Sequence, residues 1–301
     1  MIKEMKIENK FLENELMSKH TSYRIGGPAK IFFTPVNRDE LIQGLEFSKS
    51  NKMNIFFIGS GSNLLVSDQG INGMVISIKK SFRNFSINNT RVFAETGTML
   101  GRIVNSTIKE GLTGLESLVG VPGTLGGALI MNAGAYGSEI SNYLKTVEVV
   151  TKEGEIKKYK SDDMKFSYRN SNFSHEEILI SAEFELNKAN KEEINKKKIH
   201  ANKGRRSSQP LKFRSAGSVF KNPKEGPAGY FIEKAGLKGL RSGNAEISKK
   251  HANFFINYGD AKAEDVVKLI LTAKKSVKKL FNINLELEIQ TLGFKKGTFE
   301  L

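Results

Sequence analysis

The chain has 301 residues, 39% of them hydrophobic, so it can bury a sizeable core, is not wholly disordered, and has the length of two typical domains. It has no cysteine, which excludes disulfides, thiolate nucleophiles and cysteine-held metal centres and fits a reducing, cytoplasmic setting. The net charge is +15, but 37 of the 47 basic residues are lysines spread along the chain, which is typical of a solvated surface. We therefore predict no nucleic-acid partner.

Two segments bear on export and membrane insertion. The first ten residues, MIKEMKIENK, lack the apolar core of a signal peptide. Residues 117–138 carry no charge, yet they include six glycines, Pro122 and Asn132, which make a poor membrane helix. The sequence therefore predicts a soluble protein without membrane insertion, and the glycines predict a backbone that approaches a ligand closely.

Hydrophobic periodicity predicts an α+β chain. Helices are expected over residues 38–51 and 99–110, and a third helix is expected to be capped by Asp260 and to end near Phe281. The apolar stripe of this third helix comprises Val266, Val267, Ile270, Ala273 and Val277. Strands are expected at 54–58, 64–66, 74–78, 92–95, 147–151, 178–186 and 285–290.

The most polar part of the chain, residues 187–209, is the best candidate for a domain boundary. It predicts a first domain over 1–200, with subdomains of about 1–80 and 81–200, and a smaller second domain over 201–301. Leu285, Leu287 and Ile289 alternate with polar residues in the last predicted strand. Glu288 therefore faces either a cleft or solvent.

Two glycine-rich loops indicate a ligand that carries phosphate. The first glycine loop (residues 59–64, GSGSNL) follows a predicted strand but lacks the third glycine of a dinucleotide fingerprint. The second glycine loop (residues 120–134) contains GVPGTLGGA. Backbone N–H groups in such loops can hold a pyrophosphate, and a flavin dinucleotide is a natural occupant.

Other site chemistries have little support in the sequence. The P-loop pattern GxxxxGK[ST] and the GxSxG elbow of serine hydrolases are both absent. The four histidines have no metal-ligand spacing, so no metal is predicted; they are His20, His175, His200 and His251.

Taken together, the short motifs resemble those of the UDP-N-acetylenolpyruvoylglucosamine reductase family, the flavoenzymes of bacterial peptidoglycan precursor synthesis. The motifs include TSYRIGGPA, GLESLVGVPGTLGGA, MNAGAYG, AGSVFKNP and KHANF. All the matching segments occur in the family's order and together span nearly the whole chain. They lie at 21–29, 58–66, 114–128, 131–137, 168–173, 216–223, 235–240, 250–254 and 288–293.

The resemblance implies an FAD-binding α+β domain of the vanillyl-alcohol-oxidase type and a smaller α+β substrate-binding domain, to whose active site strand 285–293 returns. It implies non-covalent FAD, held by Gly59, Ser60, Gly61, Ser62, Asn63, Leu64, Gly120, Pro122, Gly123, Thr124, Gly126, Gly127, Asn132, Gly134 and Arg205. It also implies substrate contacts from Tyr168 and, at the diphosphate, Asn222.

In the resemblance, the catalytic residues are Arg169, Ser218 and Glu288. The resemblance implies NADPH-dependent reduction of UDP-N-acetylglucosamine enolpyruvate to UDP-N-acetylmuramate through FAD. The product would serve cell-wall biogenesis, cell shape and division. We expect a cytoplasmic monomer. Arg169 suits the charge that develops on the substrate carboxylate. Ser218 would deliver a proton to the carbanion, and Glu288 would have to be protonated or share a proton beside the substrate carboxyl.

Two features refine the resemblance. Arg169 and Ser218 are 49 residues apart, which resembles the shorter type of the family, without an inserted tyrosine loop. Gln290 occupies a position where the family usually has arginine, so that a cation is either missing there or supplied by a lysine.

Two alternatives stay open at this point. A flavin oxidase of the same fold would reoxidise rapidly in air and form peroxide, although covalent attachment of its flavin is disfavoured because neither glycine loop contains histidine or cysteine. A basic nucleic-acid-binding protein would be colourless and would lose DNA affinity steeply with salt.

Overall fold

The structure, a computed structural model, describes residues 7–174 and 176–301. Part of the signal-peptide prediction rests on residues 1–6, and one of the four histidines is His175; these residues lie outside the described part. Among the described residues, no helix is both long enough and apolar enough to cross a membrane.

Six α-helices occur in the described residues. They are α1 Arg38–Ser50, α2 Leu100–Lys109, α3 Leu125–Ile130, α4 Lys191–Ser208, α5 Ala228–Lys234 and α6 Ala263–Phe281. The helices predicted over 38–51 and 99–110 are confirmed as α1 and α2. Helix α1 begins where the Asn37 side chain accepts a hydrogen bond from the Glu40 N–H at 2.9 Å.

Twenty short strands occur in the same described ranges. They are β1 Leu12–Leu16, β2 Pro28–Phe33, β3 Ile55–Ile58, β4 Leu64–Val66, β5 Ile71–Ser77, β6 Phe85–Asn88, β7 Arg91–Glu95, β8 Leu112–Thr113, β9 Gly134–Ala135, β10 Ser138–Glu139, β11 Leu144–Thr151, β12 Ile156–Lys160, β13 Phe166–Ser167, β14 Asn170–Ser171, β15 Glu177–Glu185, β16 Asn187–Lys188, β17 Arg241–Ser242, β18 Ala245–Ile247, β19 Phe255–Asn257 and β20 Gln290–Leu292. The first six predicted strands correspond to β3, β4, β5, β7, β11 and β15.

The chain forms two compact units, and each is discontinuous in sequence. Unit 1 comprises Met1–Leu12, Ile31–Ser60 and Gly73–Arg205, and unit 2 comprises Glu13–Lys30, Gly61–Asn72 and Arg206–Leu301. The chain passes from unit 1 to unit 2 for the last time between Arg205 and Arg206, near the predicted boundary at 200/201. The two early segments of unit 2 have no counterpart in the predicted division, because non-local packing holds them there and local polarity does not reveal it.

Unit 1 has two hydrophobic cores. One combines helix α2 with an antiparallel sheet of strand order β12-β11-β15-β7-β6. The other lies beneath helix α1 and the parallel pair β3–β5, where Leu41 and Leu45 pack with Met74 and Ile76. The second core also takes Ile178 from β15, so it crosses the predicted subdomain limit near residue 80.

Unit 2 is built on α6 and the antiparallel sheet β17-β18-β19. The predicted stripe of α6 is buried at Val266, Ile270, Ala273 and Val277. The same core contains Tyr23, Ile25 and Leu65, which come from the two early segments of this unit. Burial of these side chains is what attaches the early segments to the C-terminal third of the chain.

The predicted cap of α6 is wrong. The helix begins at Ala263, and the carboxylate of Asp68 accepts hydrogen bonds from the N–H groups of Ala263 at 2.9 Å and Glu264 at 3.1 Å. Asp260 lies too early because the Asn257 side chain captures the N–H groups of Gly259 and Ala261, which keeps the turn out of the helix. A residue nearly 200 positions away in the sequence therefore caps the helix.

Replacing Asp68 with alanine should lower the free energy of unfolding by about 1–2 kcal/mol, because two N–H groups of the first helical turn lose their acceptor. Asp260→Ala removes the same charge from an exposed residue and should leave the stability nearly unchanged. Urea denaturation of both variants measures the difference. Equal losses would contradict the assignment of Asp68 as the cap.

The last strand, predicted at 285–290, lies at 290–292 in the structure, so the prediction is wrong for residues 285–289. Regular pairing is confined to β20 Gln290–Leu292, which runs parallel to β4, and Leu287 forms an isolated bridge to Phe220. The alternation is nevertheless visible in burial, because Leu285 and Ile289 are buried while Glu286 is exposed. Glu288 is half-buried.

Candidate active site

The first glycine loop is divided between the two units. Gly59 and Ser60 belong to unit 1, and Gly61, Ser62, Asn63 and Leu64 belong to unit 2. The second glycine loop, with Pro122, Gly123, Thr124, Gly126, Gly127, Asn132 and Gly134, lies wholly in unit 1, together with Tyr168, Arg169 and Arg205. Ser218, Asn222 and Glu288 belong to unit 2.

Within unit 1, the two glycine loops touch at Gly59. A Cβ atom on Gly59 would lie 2.2 Å from the side-chain oxygen of Thr124, so no side chain fits at this position without displacing Thr124. The Oγ1 atom of Thr124 is buried and has no hydrogen-bond partner in the protein. A buried hydroxyl without a protein partner is available to a ligand atom or to an ordered water.

Some N–H groups of the second glycine loop donate hydrogen bonds to backbone carbonyls outside the loop. The N–H groups of Leu125 and Gly126 donate to the carbonyls of Thr98 at 2.8 Å and Thr96 at 2.9 Å. These two donors are therefore already engaged. The prediction that backbone N–H groups of this loop hold a pyrophosphate is wrong for Gly126, whose N–H group is not available to a ligand. Glycine also suits position 126 because a Cβ atom on this residue would lie only 3.1 Å from the Cβ atom of Thr96.

Asn132 closes the second glycine loop in the left-handed region, at φ = 40°. Its side-chain amide donates to the Glu139 carboxylate at 2.6 Å and to the Ser167 carbonyl at 3.2 Å. Its Oδ1 atom is, like Thr124 Oγ1, buried without a hydrogen-bond partner in the protein.

Two arginines of unit 1 lie near this loop. The guanidinium of Arg205, on α4, donates to the Gly120 carbonyl at 3.3 Å, while its buried Nε has no partner. Arg169 donates to the Gly134 carbonyl at 3.1 Å and stacks on the ring of Tyr168 at 4.9 Å. Burial lowers the pKa of Arg205, Tyr136 acts in the opposite direction, and the charge of Arg169 lowers it further.

These residues of unit 1 fit an anionic, hydrogen-bonding cofactor such as FAD. Arg205 stays charged at neutral pH, so a partly buried guanidinium beside a second one is stabilised by an anion. Thr124 Oγ1 and Arg205 Nε can donate to ligand oxygens, and Asn132 Oδ1 can accept from a ligand N–H or O–H group. Gly59 leaves the space beside Thr124 clear.

Glu116 lies four residues before the second glycine loop in sequence and was not predicted. It is 4% exposed, and it accepts hydrogen bonds from the Thr113 hydroxyl, the Gly114 N–H and Lys197 on α4. Burial alone would raise the pKa of Glu116, but these hydrogen bonds outweigh it and hold the pKa below the ordinary 4.5. The only sequence signal is a single acidic residue inside an apolar run.

Tyr136 is a further residue that sequence reasoning missed. Its hydroxyl lies against α4, where a Cβ on Gly204 would come within 2.3 Å of it, and its ring makes an edge contact with His200. Tyr136 also has a left-handed backbone, at φ = 52°. The contact places an aromatic side chain directly beside the turn of α4 that carries Arg205.

In unit 2, the rest of the first glycine loop holds the segment that carries Glu288. A Cβ on Gly61, which has φ = 66°, would lie 2.0 Å from the His20 carbonyl oxygen. The Asn63 side chain donates to the Glu288 carbonyl at 3.1 Å, and the Asn63 carbonyl accepts from the Gln290 N–H at 2.9 Å. Leu64 then continues as β4, parallel to β20.

Ser218 and Glu288 lie at neighbouring positions of one hydrogen-bonded ribbon. Ser218 forms a bridge with Phe254, and the Glu288 N–H donates to the Val219 carbonyl at 2.8 Å. Both Ser218 and Glu288 are half-buried. The structure therefore brings together two of the three predicted catalytic residues within unit 2.

Asn222 is exposed, and its side chain accepts a hydrogen bond from the Ala228 N–H at 3.0 Å, at the start of α5. Gln290, the first residue of β20, is also exposed. Metal ligands do not cluster in the described residues: no three histidine, aspartate or glutamate side chains there are arranged to hold an ion.

Comparison with known proteins places this arrangement in a family. Residues 209–292 match the C-terminal domain model of UDP-N-acetylenolpyruvoylglucosamine reductase, and residues 29–160 match an FAD-binding domain model. The predicted α+β fold with an FAD-binding domain is thereby confirmed.

Relatives and a solved structure cover nearly the whole chain. The UDP-N-acetylenolpyruvoylglucosamine reductase of Caldanaerobacter subterraneus subsp. tengcongensis is 44% identical over 98% of this chain and 97% of its own length. That of Caldicellulosiruptor bescii is 45% identical over 96% and 94%. The crystal structure of UDP-N-acetylenolpyruvylglucosamine reductase from Thermus caldophilus is 34% identical and covers 94% of this chain and 100% of its own, with a TM-score of 0.82. Identity at this level over the full length shows that the chain belongs to the UDP-N-acetylenolpyruvoylglucosamine reductase family and is an FAD-dependent oxidoreductase.

Proposed function

We propose that the protein reduces UDP-N-acetylglucosamine enolpyruvate to UDP-N-acetylmuramate, with NADPH as the reductant and non-covalent FAD as the cofactor. The observation that carries the proposal is the relationship, over 98% of the chain, to a reductase named for this substrate. The reaction would supply a precursor for bacterial peptidoglycan, and through it cell-wall biogenesis, cell shape and division.

The unit 1 residues would hold and orient the cofactor. Thr124, Asn132 and Arg205 each offer a buried atom without a hydrogen-bond partner in the protein, and Gly59 keeps a side chain out of the space beside Thr124. When bound, FAD supplies the two-electron transfer between the nicotinamide and the carbon–carbon double bond of the substrate.

Arg169 would stabilise negative charge on the substrate carboxylate. Its guanidinium is permanently charged and can donate to two oxygens, and its bond to the Gly134 carbonyl fixes the direction of the side chain. Tyr168, stacked on the guanidinium, would restrict it further and would contact the substrate.

Ser218 would transfer the proton of its hydroxyl to the substrate carbon on which negative charge develops. A serine hydroxyl is a weak acid, so the transfer requires a strongly basic carbon held within hydrogen-bond reach. Glu288 would lie beside the substrate carboxyl, where only its protonated form avoids repulsion between like charges. Asn222 would contact the substrate diphosphate.

Stopped-flow measurement of the two half-reactions tests the proposal. We expect a yellow protein whose flavin absorbance is bleached by NADPH and restored by the enolpyruvyl sugar, with NADH and the sugar-free reaction as controls. Rapid restoration by air with formation of peroxide would instead identify an oxidase. A colourless protein with salt-sensitive DNA affinity would overturn the enzymatic proposal altogether.

We also propose that the protein acts in the cytoplasm as a monomer, without a nucleic-acid partner. The absence of cysteine from the sequence supports a reducing compartment, and the dispersed lysines support a solvated surface. Light scattering on the FAD-loaded protein would test the monomer, and a dimer mass would refute it.

A further inference from the structure

Asn253 makes an unusual set of contacts in unit 2. It is 3% exposed, and its side chain binds both polar groups of one backbone residue: it accepts from the Phe220 N–H at 2.9 Å and donates to the Phe220 carbonyl at 2.8 Å. Its own carbonyl accepts from the Val219 N–H at 2.8 Å. One asparagine therefore satisfies three backbone polar groups of Val219 and Phe220, the two residues that follow Ser218.

The other side of this segment is also fixed. The Lys221 N–H donates to the Glu286 carbonyl at 2.9 Å, and the Val219 carbonyl accepts from the Glu288 N–H at 2.8 Å. Residues 219–221 therefore lie between Asn253 on one side and residues 286–288 on the other. The Asn253 side chain supplies the hydrogen bonds that a paired strand would otherwise supply to Phe220.

The residue before Ser218 is a glycine without close neighbours on its Cβ side. Gly217 has φ = 80°, and no atom lies within 4 Å of the position that a Cβ on it would occupy. Val219 and Phe220, in contrast, are fully buried. The position of the Ser218 hydroxyl is therefore set by the bridge of Ser218 to Phe254 and by the anchored residues that follow it.

We propose that Asn253 is a positioning residue for Ser218, acting through the backbone of Phe220 to hold the serine hydroxyl where the substrate carbon can receive its proton. The inference rests on the proposed function, because it takes Ser218 as the proton donor. Asn253 itself has no contact with substrate in this role. Proton transfer is sensitive to such placement, since a displacement of about 1 Å can cost on the order of 100-fold in rate.

Unit 2 offers a matched control in Asn257. It is 2% exposed, and like Asn253 its side chain donates to a backbone carbonyl at 2.8 Å, that of Tyr23, and accepts backbone N–H groups. Removing either side chain leaves buried backbone groups unsatisfied and should lower the unfolding temperature. Only Asn253 is bonded to the segment that follows Ser218.

The test compares Asn253→Ala and Asn257→Ala by thermal unfolding of the FAD-free protein and by the two half-reactions. We expect both variants to melt at lower temperature, while Asn253→Ala alone slows flavin oxidation by the enolpyruvyl sugar, by about 100-fold. Reduction by NADPH should keep its wild-type rate. Equal slowing of both half-reactions in Asn253→Ala, or equal slowing in the two variants, would overturn the proposal.

The Ser218→Ala variant separates this inference from the function on which it rests. If Ser218→Ala leaves the sugar half-reaction intact, the proton-donor role itself is refuted. If Ser218→Ala slows that half-reaction and Asn253→Ala does not, only the inference is refuted. In the double variant, Asn253→Ala should add little to the loss from Ser218→Ala, whereas fully multiplied losses would show that Asn253 acts independently of the serine.

Asn253→Asp keeps the proposal testable if the alanine variant does not fold. A protonated aspartate can still accept from the Phe220 N–H and donate to its carbonyl, whereas the ionised form cannot donate. Burial favours the protonated form, so the rate of the sugar half-reaction relative to wild type should rise as the pH falls from about 8 to about 6. A ratio independent of pH and equal to one would contradict the role.

Discussion

Replacing Ser218 with alanine is expected to slow oxidation of the reduced enzyme by the enolpyruvyl sugar by about 100- to 10,000-fold, the usual contribution of a general acid. Reduction by NADPH should continue at the wild-type rate, because no proton from Ser218 is needed in that step. The substitution removes one oxygen from a half-buried position whose backbone is fixed by Phe254 and Asn253, so the fold should persist.

Stopped-flow absorbance of the flavin measures both steps in the same preparation. Ser276→Ala, a serine in the middle of α6, is the control and should affect neither rate. Equal losses in the two half-reactions would show that Ser218 maintains the cofactor site in general, and would reject its assignment as proton donor.

Replacing Gly59 with alanine should weaken FAD binding by about 10- to 100-fold, which corresponds to the cost of about 1–3 kcal/mol for overpacking a close contact. The added methyl group would lie 2.2 Å from the Thr124 hydroxyl, which is buried and cannot move aside freely. Either Thr124 turns away from its ligand position or the loop shifts, and both changes disturb the cradle.

Fluorescence titration of the FAD-free protein with FAD measures this effect, and a second substitution tests its cause. Gly59→Ala with Thr124→Ala removes the clashing oxygen and should bind FAD more tightly than Gly59→Ala alone, although less tightly than the wild type. Gly101→Ala is the control, since a Cβ on this helical glycine meets nothing within 4 Å. Wild-type affinity in Gly59→Ala would refute the contact as a constraint on the cofactor site.

The elements of the fold that sequence predicted are those that local forces determine. Helix α1 follows from the spacing of Leu41 and Leu45 and from the cap at Asn37. The cap of α6 could not be predicted in the same way, because Asp68 lies 195 residues before Ala263 in sequence and is adjacent to the helix only through non-local contacts, such as the parallel pairing of β4 with β20. Asp260 has the right residue type but lies two residues before the N-cap position, and the N–H groups of its neighbours Gly259 and Ala261 are bonded to Asn257.

The site was predicted at its glycines and through resemblance at its polar residues, but the reasons differ in part from those expected. Position 59 requires glycine because the Thr124 side chain lies directly beside it, a contact that no sequence pattern reveals. Glu116 and Asn253 were missed because a buried polar side chain cannot be told from an exposed one until the packing around it is known. Their signal is structural: each satisfies several backbone or side-chain groups at once.

The interleaving of the two units has a consequence for synthesis on the ribosome. Residues 13–30 and 61–72 emerge early, yet the partners that bury Tyr23, Ile25 and Leu65 belong to the part of the chain translated last. Until translation ends, those two stretches keep apolar side chains without their final neighbours, and the loop at 59–64 has only one of its ends anchored. A nascent chain stalled before residue 206 should therefore recruit chaperones and fail to retain flavin.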